Sequence, residues 1–226
     1  SEWTKNHEAG LQTGILLWDL SSAFDTIDID ILCRKLKIYG MSETSVRWFR
    51  SLLTNRVQRV KVGNGISEPK SVSIGCPQGC LLSPLLFLIY ISDMELWLKE
   101  ASIHGYADDT STSIAASTEE EVVIKLEADA ERLLEYMASN SLVANPQKTG
   151  LLMIRWGKSG GLAREIQVGG AKVREEDSHR ILGVVVNNTL TWKDHIYDGL
   201  LQAVNRRVGA MKRLTYFIPR KFLPQI

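Results

Sequence analysis

Two aspartates stand side by side in HGYADDTSTS, residues 104 to 113. Adjacent carboxylates repel each other, and beside a buried strand they also lose hydration. A third acid, Asp19, closes the short apolar run TGILLWDL. If the run and the acid pair lie centrally in one sheet, Asp19, Asp108 and Asp109 converge at one edge. Clustered carboxylates without a counter-cation are costly. A hard cation such as Mg2+ removes that cost and completes its shell with water and substrate phosphate. Two such ions can activate an attacking oxygen and stabilise a leaving one. Successive side chains on a strand face opposite sides, so a pure strand aims one of the pair at Asp19. Asp108 is expected as the inner ligand and Asp109 as the more peripheral. Asp-Asp is equally ordinary chemistry for a surface turn, and spacing alone does not bring residue 19 to residue 108.

The elements that would position these acids follow from pattern. Residues 13–20 form a continuous apolar run, as expected of a buried strand. Residues 27–40 read as a helix with aspartates at its start and Gly40 at its end. Residues 42–55 read as a second, with Ser42 as N-cap and Val46, Phe49 and Leu53 on one face. RVQRVKV alternates apolar with basic residues, and GNG turns it back, so 56–74 is a predicted half-exposed hairpin. CPQG is a turn, and 81–98 reads as the most apolar helix. SIHGY and TSTSI are expected strands on either side of the acid pair. Thr118 and Glu121 mark a capping box for a long helix over 118–140. Strands are expected at 150–156 and 180–187, a hairpin at 165–175 around Gly169-Gly170, and a basic helix at 193–217. The order fits an α+β fold with helices on one face of an antiparallel sheet.

Hydrophobic residues make up 44% of the 226 residues, enough for a sizeable core, and the net charge is +1. The charge is unevenly spread. Residues 47–70 hold six basic residues against Glu68, and residues 193–226 hold seven against two acids. Two basic stretches in a near-neutral chain fit phosphate contacts at two places, or two solvated helix faces. Cys33, Cys76 and Cys80 form no disulfide framework, which points to a reducing, intracellular compartment, nucleus or cytoplasm. Cys76 and Cys80 have no second ligand pair at metal-binding spacing and read as packing or loop residues. No signal peptide is visible, and the longest apolar stretch holds Pro84, Asp93 and Glu95, which argues against a membrane span. The chain starts without Met and ends at FLPQI, so a fragment is expected.

LLWDLSSAFDTID, GCPQGCLLSPLLFLIYISDM, YADDTSTS, NPQKTGLL and RILGVVVNNTLTWKDHI occur in the order of the reverse transcriptase motifs. Across residues 14 to 215 the chain resembles the reverse transcriptases of non-LTR retrotransposons. The resemblance implies a right-hand polymerase palm at 13–40 and 75–175, partial fingers at 41–74, a primer-grip region at 176–192 and the start of a thumb at 193–226. It implies an RNA-directed DNA polymerase with two Mg2+ ions, Mn2+ being an alternative, a DNA primer, an RNA or DNA template and deoxynucleoside triphosphates. The metal ligands would be Asp19, Asp108, Asp109 and the carbonyl of Leu20. Phe24 would be the sugar gate that excludes a 2′-hydroxyl. Gln78 would line the nucleotide and template site, in a loop shaped by Pro77 and Gly79. Lys148 would neutralise the pyrophosphate leaving group. Leu182 and Gly183 would meet the primer end. Arg56, Arg59 and Lys61 would meet template phosphates, and Arg206, Arg207, Lys212 and Arg213 would track the duplex.

The chain departs from the family in places. Only about a dozen residues precede the first catalytic strand, where the family carries basic fingers motifs. Ile29 stands where relatives often have histidine, and Cys80 where serine or glycine is usual. A nucleic-acid-binding fragment without chemistry, or an RNA-directed RNA polymerase, are the alternatives. Phe24 argues against the latter.

Overall fold

The computed structural model describes residues 1–20, 22–106, 109–155 and 164–214. Its centre is a four-stranded antiparallel sheet built from β1 (Gln12–Asp19), β6 (Ser102–Tyr106), β7 (Asp109–Ala116) and β8 (Gly150–Ile154), in the order β6-β7-β1-β8. β1 is central and buried on both faces, which explains its unbroken apolar run. Leu16 and Trp18 join the larger core with Leu151 and Met153. Ile15 and Leu17 face the other way with Leu152 and Ile154.

Helices cover the larger-core face. α2 (Ile29–Ile38) starts where the Asp28 carboxylate accepts the Asp30 and Ile31 N–H groups, and α3 (Glu43–Leu53) is capped by Ser42. α4 (Ser83–Ile91) and α5 (Glu119–Ser139) complete the layer, and Thr118 Oγ1 accepts the Glu121 N–H at 3.2 Å. The opposite face is not bare. α1 (Glu2–Glu8), in a segment with no expected element, brings Trp3 onto it. Ile181 and Val186 pack beside it.

Three expected elements differ. The apolar helix over 81–98 stops at Ile91, and Met94–Trp97 is a separate 3-10 turn. The break frees the Asp93 carboxylate to take the Lys35 ammonium at 2.6 Å and the Tyr136 hydroxyl at 2.6 Å. The expected strand over 180–187 is a hairpin of β11 (Ser178–Ile181) and β12 (Val184–Asn187), turning at Leu182-Gly183 with φ of 49° and 84°. Positive φ at both central residues is the two-residue turn that matches strand twist.

The 56–74 hairpin forms in two pieces. β2 (Arg56–Gln58) pairs with β5 (Lys70–Val72), and β3 (Lys61–Val62) pairs with β4 (Gly65–Ile66). It is exposed rather than half-exposed, with Val57, Val60 and Val62 all open to solvent. The 165–175 hairpin forms as expected, from β9 (Glu165–Val168) and β10 (Ala171–Arg174). The basic helix begins with a π-helical turn, His195–Leu200, and continues as α6 (Leu201–Leu214). Its expected end at 215–217 lies outside the described residues, as does Trp156 after β8. Among the described residues no helix is long and apolar enough to cross a membrane.

Candidate active site

Asp19 is the last residue of β1, and Asp109 is the first of β7. The β1–β7 register pairs them directly, Asp19 with Asp109 and Trp18 with Thr110. Residues paired across antiparallel strands share a face, so both acids stand on the side of Ile15 and Leu17, toward the β11–β12 hairpin. Asp109 was expected at the periphery. In the β1–β7 register it is the cross-strand neighbour of Asp19. Asp108 lies outside the described residues.

The end of β1 is pinned from its other side. Leu20 bridges Ala144, and the Asn145 N–H donates to the Asp19 carbonyl at 3.0 Å. Asn145 then caps the short turn Pro146–Lys148 with its side chain. That turn delivers the Lys148 ammonium to 3.4 Å from Asp19 Oδ2. Both groups remain open to solvent, with 63% and 38% of their side-chain surfaces exposed. The ammonium can therefore swing between Asp19 and an anion arriving from outside.

A cleft of about 660 Å³ opens here, between the sheet end and the β11–β12 hairpin. Asp19, Leu20, Asp109, Lys148 and Leu182 line it, together with Tyr106, His104, His179 and Arg180. These last four were not singled out as site residues in the sequence. A lone histidine or arginine on a strand carries no signal until the topology brings it to a cleft. His179 Nδ1 sits 2.7 Å from Glu176 Oε2, and His104 Nε2 sits 3.3 Å from Glu2 Oε2.

Asp19 and Asp109 supply two hard oxygen donors on one face, with the Lys148 ammonium beside Asp19. That donor set suits a divalent cation of the Mg2+ type. Among the described residues no group of three ligating side chains comes together.

Phe24 and Gln78 occupy two loops that run side by side. Phe24 is half-buried, its ring 4.8 Å from that of Phe87 on α4. Its carbonyl accepts the Cys76 N–H at 2.8 Å. Gln78 is exposed, and its side-chain nitrogen lies 3.2 and 3.1 Å from the two carboxylate oxygens of Asp25. Gly79 has φ of 75°, the left-handed region that glycine adopts without strain. The Ser83 hydroxyl donates to the Pro77 carbonyl at 2.6 Å, tying this loop to the start of α4. Burial pushes the Cys76 thiol up to about 11, so it packs as an inert side chain.

Residues 2–186 match the family model described as reverse transcriptase (RNA-dependent DNA polymerase). The chain belongs to the reverse transcriptase family. It is 26% identical over 217 residues to the "Probable RNA-directed DNA polymerase from transposon BS" of Drosophila melanogaster, covering 90% of this chain and 23% of that protein. It is 26% identical over 177 residues to the RNA-directed DNA polymerase from mobile element jockey of the same organism, covering 73% of this chain and 18% of that protein. The reverse transcriptase chain thus spans about a fifth of the length of these relatives. Among solved structures, apo telomerase from Candida tropicalis truncated from its C-terminal domain matches with a TM-score of 0.55 at 14% identity, covering 84% of this chain and 38% of that one. Telomerase from Candida albicans in complex with the TWJ fragment of telomeric RNA matches with a TM-score of 0.52 at 14% identity, covering 84% and 33%. At that identity the likeness establishes the fold.

The outer residues of the reverse transcriptase chain divide by their existing commitments. Arg56 is taken up internally. Its Nε donates to the Leu53 carbonyl at 2.8 Å, and its Nη2 to the carbonyls of Ile74 and Gly75 at 2.7 and 2.5 Å. It fastens the 56–74 hairpin to the loop before Gln78. Arg59 and Lys61 make no side-chain hydrogen bond or ion pair among the described residues, and both are exposed. Leu182 is 55% exposed at the tip of its hairpin, beside Gly183. Arg206, Arg207, Lys212 and Arg213 all lie on α6 and are exposed.

Proposed function

We propose that this chain is the palm-centred core of an RNA-directed DNA polymerase of the non-LTR retrotransposon type, adding deoxynucleotides to a primer 3′-hydroxyl. The observation that carries the reading is the pairing of Asp19 with Asp109 beside Lys148, all three lining a cleft of about 660 Å³. In this reading residues 13–40 and 75–175 are palm, 41–74 partial fingers, 176–192 the primer-grip region and 193–226 the start of the thumb. Asp19, Asp109, Asp108 and the Leu20 carbonyl would hold two Mg2+ ions. When bound, these ions supply Lewis acidity toward the attacking and leaving oxygens of the phosphoryl transfer.

The chain's own residues do the rest. Lys148 reaches the anion that departs, leaving its position beside Asp19. Phe24, held by Phe87, is a fixed wall against which a ribose 2′-hydroxyl would collide. Leu182 lines the cleft from the hairpin side, next to Gly183, and would set the height of the primer end. Template, primer and deoxynucleoside triphosphate are the partners this arrangement fits.

The test is template–primer extension with Mg2+, comparing deoxynucleotides with ribonucleotides. It is run on this chain and on any longer polypeptide that carries it. Deoxynucleotide incorporation that vanishes in Asp19→Asn supports the reading. Incorporation that survives that change, or a preference for ribonucleotides, overturns it.

A further inference from the structure

The loop carrying Phe24 and the loop carrying Gln78 are joined by more than one bond. The Cys76 N–H donates to the Phe24 carbonyl at 2.8 Å, and the Gly75 N–H donates to the Ile27 carbonyl at 2.8 Å. The turn holding Asp25 is closed by its own N–H on the Ser22 carbonyl at 2.8 Å. Gly75 sits so close that a Cβ there would stand 2.7 Å from Asp25 Cα and from the Asp25 carbonyl oxygen. The backbone under Asp25 and the backbone leading to Gln78 therefore move as one piece.

On that base the two side chains meet. The Gln78 nitrogen lies within 3.2 Å of both Asp25 oxygens. Among the described residues the Asp25 carboxylate has no basic partner, so its charge is directed at this amide. An exposed glutamine otherwise samples many rotamers, and its amide presents nitrogen or oxygen indifferently. A carboxylate accepts and cannot donate, so it selects the nitrogen. The amide oxygen of this exposed side chain is then left as the acceptor available to a ligand.

We propose that Asp25 is a positioning residue for nucleotide binding, acting through Gln78. It holds the Gln78 nitrogen so that the amide oxygen faces the nucleotide and template site as a fixed acceptor. The inference rests on the polymerase reading above. It also accounts for the paired loops: the wall formed by Phe24 and the acceptor formed by Gln78 keep a constant spacing, because Asp25 follows Phe24 directly in the chain.

Two measurements test it together. The first is independent of activity. The side-chain amide signals of Gln78 are followed by 15N NMR, assigned by their absence in Gln78→Ala. Asp25→Ala and Asp25→Asn are expected to move them while the rest of the backbone spectrum stays in place. Unmoved Gln78 signals overturn the inference and leave the polymerase reading intact. The second is steady-state extension. Asp25→Ala is expected to raise KM for the deoxynucleotide about 3- to 10-fold, the scale of one ordinary net hydrogen bond, with kcat within about 2-fold. Asp25→Asn, whose oxygen still accepts, is expected to raise it less. Gln78→Ala and the Asp25→Ala, Gln78→Ala double variant are expected to agree, because Asp25 has nothing to act on once the amide is gone. Effects that multiply in the double variant overturn the inference. Extension absent from the wild type, with the amide contact intact, strikes the polymerase reading and removes the nucleotide-binding role of Asp25 with it.

Discussion

Asp19 and Asp109 face each other across adjacent strands with like charges, an arrangement that costs about 0.2–1 kcal/mol relative to neutral pairs. A site that keeps this cost has a use for the negative field. Asp109→Asn is therefore expected to raise unfolding stability by up to about 1 kcal/mol while lowering Mg2+-dependent extension sharply. Millimolar Mg2+ is expected to raise the melting temperature of the wild type and to lose that effect in the Asp19→Asn, Asp109→Asn double variant, since only a native state with its carboxylates gains from the cation. Equal melting shifts in both proteins would remove the metal from these two acids. Asp129 shows the opposite use of a carboxylate. It is 2% exposed and accepts the N–H groups of Lys99, Glu100 and Ala101 just before β6. Burial pulls its pKa up, but those N–H groups and Arg132 outweigh it and hold the carboxyl below its ordinary value of 3.8. The folded pKa is depressed, so its stabilisation is full above 3.8 and is lost as pH falls below it. Asp129→Asn is expected to cost about 2–3 kcal/mol at pH 7 and progressively less below about pH 4, read by urea unfolding at each pH. Asp19 and Asp109 could be picked out by residue type. That Asp109 faces Asp19 could not, because strand register is a property of the assembled sheet.

Short-range signals placed most elements. Asp28, Ser42 and Thr118 each start a helix as capping chemistry requires, and the runs at β1, β6, β7 and β8 are strands. The misses have distant causes. The apolar helix breaks before Asp93 because Lys35 and Tyr136, 58 and 43 residues away, claim that carboxylate. The turn in the β11–β12 hairpin was invisible because Leu182, a poor residue for positive φ, occupies its first position. An L-residue in the left-handed region costs about 1–2 kcal/mol. The hairpin accepts that cost and gains an exposed apolar tip at the cleft. Leu182→Gly is expected to stabilise the fold by about 1 kcal/mol and to weaken binding of a primed template. A variant that is no more stable would mean that the turn relaxes in solution. Gly75→Ala acts in the other direction. With φ of 74° and Asp25 backbone atoms 2.7 Å from a new Cβ, it is expected to cost about 1–3 kcal/mol and to separate the Phe24 and Gln78 loops. Chemical denaturation gives the first effect, and the Gln78 amide signals give the second.

At the scale of the molecule, a near-neutral chain concentrates its positive charge in two stretches, and the fold decides which of those charges are available. Arg50 is paired with Asp30 at 2.6 Å, and Arg56 is bound to three carbonyls, so the first basic stretch offers less than its composition suggests. Arg59 and Lys61 remain on the exposed hairpin. α6 carries Arg206, Arg207, Lys212 and Arg213 on an exposed helix. Composition cannot separate these groups, since an arginine that braces a loop and one that meets a phosphate look the same in sequence. Salt dependence can. Each phosphate neutralised contributes about −0.9 to the slope of log K against log salt on duplex DNA, and about −0.7 on single strands. Replacing the four basic residues of α6 by alanine is expected to flatten that slope by about 2–4 for a primed template, with little dependence on its sequence. Arg59→Ala with Lys61→Ala is expected to flatten it by about 1–2. Arg56→Ala is expected to leave the slope alone and to lower stability by about 1–3 kcal/mol, because its loss leaves carbonyls near Gly75 without a donor. An unchanged slope in the α6 variant would take the helix off the nucleic acid and confine binding to the cleft and the 56–74 hairpin.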